Sequence, residues 1–497
     1  MTKPEQIPEP GSMPMPETVQ NVYAFGGFAY GAVAADVHVH GDGRPVYLLE
    51  EYRPAPAIPD PGWVSRPSRL LDARSAVVPF TGREAELRDL EGWLDGEGDG
   101  DNDGPVLGVR WLYGPGGRGK SRLADHFASA STARGWKTVV ARHGSGVSWQ
   151  SQGSHDARPG DRTGLLVLVD YADRWPLRDL TWLFANSLFP NSLGQGVPVR
   201  VLMLARSVGP WPAVRGVLGD RAVASAMELE AVPDTPGARE RVFAAARARF
   251  AELYGLRPPH PLHRPPEADP AALPLPPDHP DSGLTLTLHM AALVAVDALA
   301  HGRRPPADPV ALSSYLLHRE REHWQRLSEN GAGGAGATPE ALAGAAFVAA
   351  LTGPTDWDRG AEALARARLA DGPAAARSLL GDHARYYPPL DPATVLEPLY
   401  PDRLAEDFVA LSLPGHGVAG YQADPWAAAV PAALLTDDQA PAYAPRAMAF
   451  LAAAAERWPH VRTTVFHPLL GPVPSSDHSG LRLRSQMTAP RRWSPAR

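Results

Sequence analysis

Residues 114–121 read GPGGRGKS and satisfy every fixed position of the pattern G-x-x-x-x-G-K-[S/T]. This segment constrains the fold more than any other, because it demands a strand before it and a helix after it. The preceding run, VLGVRWLYG (106–114), is apolar and rich in β-branched and aromatic residues, as a buried parallel strand is. The following run, RLADHFASA, reads as a helix whose positive N-terminal end faces the loop. Gly114, Gly116, Gly117 and Gly119 allow φ > 0 and let backbone N–H groups turn inward onto phosphates. Pro115, Arg118 and Arg122 complete the loop and its exit. Lys120 is placed to reach phosphate oxygens and Ser121 to offer a hydroxyl to Mg²⁺.

Two further strands carry chemistry at their C-terminal ends. LLVLVDYADRW (165–175) puts Asp170 at the edge of an open α/β sheet, where ligands bind and where a carboxylate can hold the water shell of Mg²⁺. Tyr171 stands where many phosphate-loop ATPases have the glutamate that orients the attacking water. Asp173 is the nearest substitute; the alternative is that it caps the next helix. VRVLMLAR (199–206) ends in Arg206, a candidate for contact with a γ-phosphate. Lys120, Asp170, Asp173 and Arg206 are thus the candidate catalytic residues, and Ser121 and Asp170 the candidate Mg²⁺ ligands.

Other patterns carry less. DGDNDG (99–104) starts like a calcium loop, but the twelfth position, which needs glutamate, is Arg110. HREREH (318–323) misses the inverted zinc-protease spacing by one residue and reads as a charged helix face. No guanine-reading N-K-x-D segment is visible, which favours adenine.

The 497 residues suffice for two to four domains at roughly 100–200 residues each. A net charge of −7 gives no reason to expect obligate nucleic-acid binding. With no cysteine, disulfides, thiolate metal sites and cysteine nucleophiles are excluded. No run has the ~18 apolar residues of a membrane helix, and the proline-punctuated start lacks the apolar core of a signal peptide. A cytoplasmic protein without membrane contact is expected.

The expected organisation is a tail at 1–19, a small β-rich module with its linker at 20–68, and a nucleotide-binding α/β core at 76–225. That core should be a parallel sheet with helices on both faces, since strand-type and helix-type runs alternate. A helical extension at 226–256 and a proline-crowded linker at 257–282 follow. Helical patterning then occupies 283–415 and continues through a helical region at 416–497.

The order FTGRE (80–84), GPGGRGKS, LLVLVDYAD and VRVLMLAR resembles that of the signal-transduction ATPases with numerous domains (STAND), bacterial members especially. VRVLMLARSVGPW and LEPLYPDRLAEDFV (396–409) add to the likeness, which covers about 78–415. The resemblance implies an ATP- or ADP-gated switch with a helical and winged-helix region packed on the nucleotide. It places Gly82 and Arg83 near the adenine and ribose. It also implies a slow ATPase in signalling or defence, with a protein partner or self-association. Relatives often carry Gly-Leu-Pro where GLTLTL (283–288) has Thr285, and Tyr171 departs from the hydrolytic pattern. A small-molecule kinase and a scaffold that binds nucleotide without hydrolysis are the competing readings.

Overall fold

A computed structural model describes residues 45–54, 64, 66–100, 106–143, 157–233, 235, 237–256, 275–276, 279–329, 337–389, 391–436 and 440–471. The first elements are β1 (Tyr47–Glu51), α1 (Pro67–Leu71), α2 (Glu84–Leu94), β2 (Leu107–Tyr113), α3 (Lys120–Ala133) and β3 (Lys137–His143). Then come β4 (Leu165–Val169), α4 (Leu177–Phe184), α5 (Leu188–Gly194), β5 (Val199–Ala205), α6 (Trp211–Leu218) and β6 (Val223–Glu228). The six strands form one sheet in the order β1-β3-β4-β5-β2-β6, parallel throughout except for β1 on β3. β4 and β5 are buried along their whole length, as central strands covered on both faces must be.

Alternate residues of each strand feed opposite faces. Trp111, Val167 and Val201 pack with Leu180, Leu188 and Trp211 of α4, α5 and α6. Leu112, Leu166 and Leu202 pack with Trp93 of α2 and Phe127 of α3. The core is a phosphate-loop α/β fold with helices on both sides.

The remaining elements are mostly helical. α7 (Ala238–Leu253), α8 (Thr285–Ala300), α9 (Pro309–Glu329), α10 (Pro339–Thr352), α11 (Trp357–Arg366) and α12 (Pro373–Tyr386) share one large core with α13 (Asp402–Ser412), α14 (Val430–Leu435) and α15 (Ala444–Arg457). Within it, strands β7 (Thr355–Asp356) and β8 (Thr394–Val395) pair antiparallel around α11 and α12. The chain order here is helix, strand, two helices, strand, with very short strands.

Several expected boundaries move. The part of the 20–68 module that is described is no separate unit. β1 joins the main sheet at its edge, and Pro67 and Ser68 already belong to α1. The sheet continues past 225, because β6 runs to Glu228; its small, half-exposed residues carried little strand signal. The 226–256 extension packs into the helical core, where Val242, Phe243, Ala246 and Phe250 of α7 are buried. Of the 257–282 linker, residues 257–274 lie outside the described residues. Its end, Pro280–Gly283, is a packed 3-10 turn whose Gly283 carbonyl accepts from the Val232 N–H. The tail at 1–19 and the end of the 416–497 region, residues 472–497, also lie outside the described residues.

Candidate functional site

The strand order assembles the site. β5 inserts between β2 and β4, so Gly114, Arg206 and Asp170 emerge side by side at one sheet edge. The Gly114 N–H donates to the Ala205 carbonyl at 3.2 Å, which ties the start of the loop to the end of β5. Gly114, Gly117 and Gly119 have φ of 152°, 87° and 92°, conformations that side chains resist. Gly116 does not share them, and a Cβ there would make only ordinary contact, 3.8 Å from Arg206 Cζ. No side chain caps the N-terminus of α3, so its first N–H groups face the loop.

Lys120 Nζ donates to the carbonyls of Gly114 and Pro115. Burial, and then repulsion from Arg206, pull its pKa down to about 8. Ser121 Oγ lies 3.4 Å from Asp170 Oδ2, and Asp170 Oδ1 accepts the Tyr171 N–H at 2.8 Å. Burial raises the Asp170 pKa. A hydroxyl and a carboxylate oxygen at this separation form a hard-oxygen donor set that fits Mg²⁺ completed by water and phosphate. Ser121 and Asp170 are the residues that would hold the ion, and its charge would offset that of the phosphates.

Asp173 lies in a 3-10 turn and caps no helix. Its Oδ2 accepts the Arg206 N–H at 3.0 Å and fixes the end of β5, while Oδ1 is buried without a hydrogen-bond partner among the described residues. Asp173 borders the same cavity as Lys120 and Asp170.

The Arg206 guanidinium crosses to the helical half. It lies 3.1 Å from Asp402 and 2.6 Å from Glu406, both on α13. Arg174 also binds Asp402, at 3.0 Å, and stacks over the Tyr171 ring at 4.0 Å. Tyr171 adopts φ 52°, rare for an aromatic residue. Despite burial, Arg174 and Arg206 hold the Asp402 carboxyl far below its ordinary range.

The cavity continues from the loop to an apolar end lined by Leu70, Leu71, Val77 and Val78 before α2, and by Leu286 and His289 on α8. Burial and then Arg122 lower His289 to about 4, so its imidazole is neutral at pH 7. α8 is docked on the loop itself: the Leu286 N–H donates to the Gly117 carbonyl at 3.0 Å, and Thr285 Oγ1 to the Arg118 carbonyl at 3.3 Å.

Some expected contacts are absent from the cavity wall. Gly82 packs against α7, where a Cβ would meet Val242 at 2.8 Å. Arg83 is buried behind the loop and binds the carbonyls of Arg118 and Glu230 and the Glu86 carboxylate. It braces the loop instead of facing a base. Arg118 turns toward β6 and pairs with Glu228 at 3.1 Å. Pro115 is exposed, whereas Arg122 lines the wall and pairs with Asp125.

Asp402, Arg403 and Glu406, which come from a distant helix, are not among the sequence-predicted site residues. One signal was available. α13 carries Asp402, Arg403, Glu406 and Asp407 among apolar residues, and ten of its eleven positions, all but Asp402, are buried, so its charges have partners instead of solvent.

No family model matches the chain, and no curated protein does. Solved structures similar to it include the Aeropyrum pernix ORC2 protein in ADPNP–ADP complexes, at 17% identity. That match covers 68% of this chain and 96% of that one, with a TM-score of 0.32. CDC6P from Pyrobaculum aerophilum is 13% identical over 68% of this chain and 88% of its own, with a TM-score of 0.26. The Aeropyrum pernix ORC1 protein in complex with DNA is 18% identical over 69% and 94%, with a TM-score of 0.28.

Proposed function

We propose that this chain is an ATP/ADP-dependent molecular switch, a slow ATPase of STAND type that acts in bacterial signalling or defence. The observation that carries the reading is the capture of Arg206 by Asp402 and Glu406 beside the phosphate loop. Arg206 is the residue best placed to meet a γ-phosphate, and here its fork is shared with two carboxylates of the helical half. A γ-phosphate competes with those carboxylates for the same donors; ADP does not. ATP therefore loosens α13 and ADP leaves it docked, which is the differential affinity a switch requires.

In this reading Lys120 and the α3 N-terminus hold the phosphates, and Ser121 and Asp170 hold Mg²⁺. Asp173 Oδ1 orients the attacking water, and the adenine occupies the apolar end near Leu70, Val78 and His289. Slow turnover follows from Tyr171, which gives its position a phenol in place of an acid. That same feature favours, as second reading, a scaffold that binds nucleotide without hydrolysis.

The test is to identify the nucleotide retained through purification, then measure phosphate release from Mg-ATP, and small-angle scattering with ADP and with a non-hydrolysable ATP analogue. The switch reading expects a larger radius of gyration with the analogue than with ADP. Equal scattering with both, together with no release, leaves the scaffold; rapid ADP formation from ATP only with an added acceptor, without free phosphate, marks a kinase.

A further inference from the structure

We infer that Glu320, a buried acid of α9 that does not border the cavity, is a positioning residue for the nucleobase. It fixes the wall against which the base rests, so the hold on the base is set apart from the hold on the phosphates. The inference rests on the reading above, in which the cavity binds a nucleotide with its base at the apolar end.

That end is built by a short piece of chain. Leu70 and Leu71 on α1, and Val77 and Val78 beyond it, line the cavity. All four pack in the core of the helical half and in neither core of the sheet. α1 has only five residues, too few to keep its shape without partners. No side chain of its own caps it, and Pro67 at its start has no N–H to give. The next donor is the Ser68 N–H, and Glu320 Oε1 accepts it at 2.7 Å. Ser68 and Glu320 are 3% and 0% exposed, so water does not stand in for this bond. Without the acceptor, α1 must turn to bring the Ser68 N–H to another partner, and Leu70 and Leu71 turn with it.

The acid is itself held. Its Oε2 accepts the Tyr387 hydroxyl at 3.0 Å, and that hydroxyl accepts from Trp324 Nε1 at 2.9 Å. One donor on each oxygen gives the carboxylate a single orientation. Neighbouring anchors run the same way. Arg66 donates to the Tyr386 carbonyl at 3.3 Å and Arg69 to the Pro388 carbonyl at 3.1 Å, while Arg74 pairs with Glu397 at 3.2 Å. Each of these partners belongs to the helical half, whereas Lys120, Ser121 and Asp170 stand at the sheet edge. The two ends of the cavity thus depend on different halves of the molecule.

The test is titration calorimetry on the full chain with Mg-ADP and with Mg-pyrophosphate, which has the phosphates without the base. Glu320→Ala is expected to weaken ADP binding about tenfold and to leave pyrophosphate binding unchanged. Tyr387→Phe, which removes one donor from the acid, should shift the ratio of the two affinities in the same direction by less. Glu320→Gln keeps an oxygen for the Ser68 N–H and should recover most of the loss. Equal losses for ADP and pyrophosphate in Glu320→Ala would show general loosening and overturn the inference. So would unchanged ADP affinity in that variant. If the wild type binds neither compound, the nucleotide reading itself fails. If the wild type binds ADP and Lys120→Ala does not, that reading stands, and the Glu320 variants judge this inference alone. Should Glu320→Ala fail to fold, Tyr387→Phe decides by the same ratio: a loss confined to ADP supports the assignment, and an equal loss or none overturns it.

Discussion

Arg206, at the end of β5, and Glu406, on α13, meet at 2.6 Å although 200 residues separate them in the chain. One belongs to the sheet and the other to the helical core. Glu406 is 4% exposed, and its removal leaves Arg206 with Asp402, at 3.1 Å, as its remaining anion. Glu406→Ala should cost about 1.5–3 kcal/mol of stability without nucleotide, the worth of a charged hydrogen bond. An ATP analogue should restore more of that loss than ADP does, because only ATP offers Arg206 another anion. Thermal melts with each nucleotide check this; equal rescue by both argues against a γ-phosphate contact.

Lys120→Ala should abolish tight binding of ADP and ATP. In the wild type, ligand at 100 times its dissociation constant should stabilise the fold by ~2.7 kcal/mol. That is a melting shift of roughly 5–10 °C for a unit of about 200 residues. The variant should show none.

The two acids on the β4 side should separate. Asp170→Asn should remove the magnesium dependence of ATP binding and spare much of the ADP affinity. Asp173→Asn keeps an oxygen for the Arg206 N–H but loses the charge on the unpartnered Oδ1, so binding should persist while turnover slows. Wild-type turnover in Asp173→Asn would leave that residue as an anchor for β5 alone.

Binding should depend on pH through Lys120, whose pKa is pulled down to about 8. A phosphate contact favours the ammonium, so ADP affinity should be level below pH 7 and fall as pH rises through 8. Stability without nucleotide moves the other way. Between pH 8 and the ordinary lysine range the unfolded chain binds more protons than the folded one, so the unfolding free energy gains a rising contribution there. Lys120→Arg should remove the inflection in a titration series from pH 6.5 to 9.5.

The local chemistry of the loop was legible in the chain alone. GPGGRGKS demands positive φ at several glycines, an apolar strand on one side and a helix on the other, and these are properties of neighbouring residues. The runs that became β4 and β5 are continuous and apolar because a central parallel strand is buried on both faces. The helices from α7 to α13 announced themselves by periodicity. What the chain alone could not decide is what meets across space. β1 looked like part of a separate module, but edge pairing with β3 is made by backbone groups that every residue carries. Arg83 lay next to the motif in sequence yet turned behind the loop, because its carbonyl partners converge there only in the folded molecule. Asp402, Arg403 and Glu406 reach the cavity because α13 is buried on all sides and its charges must find partners, and the identity of those partners is set by packing.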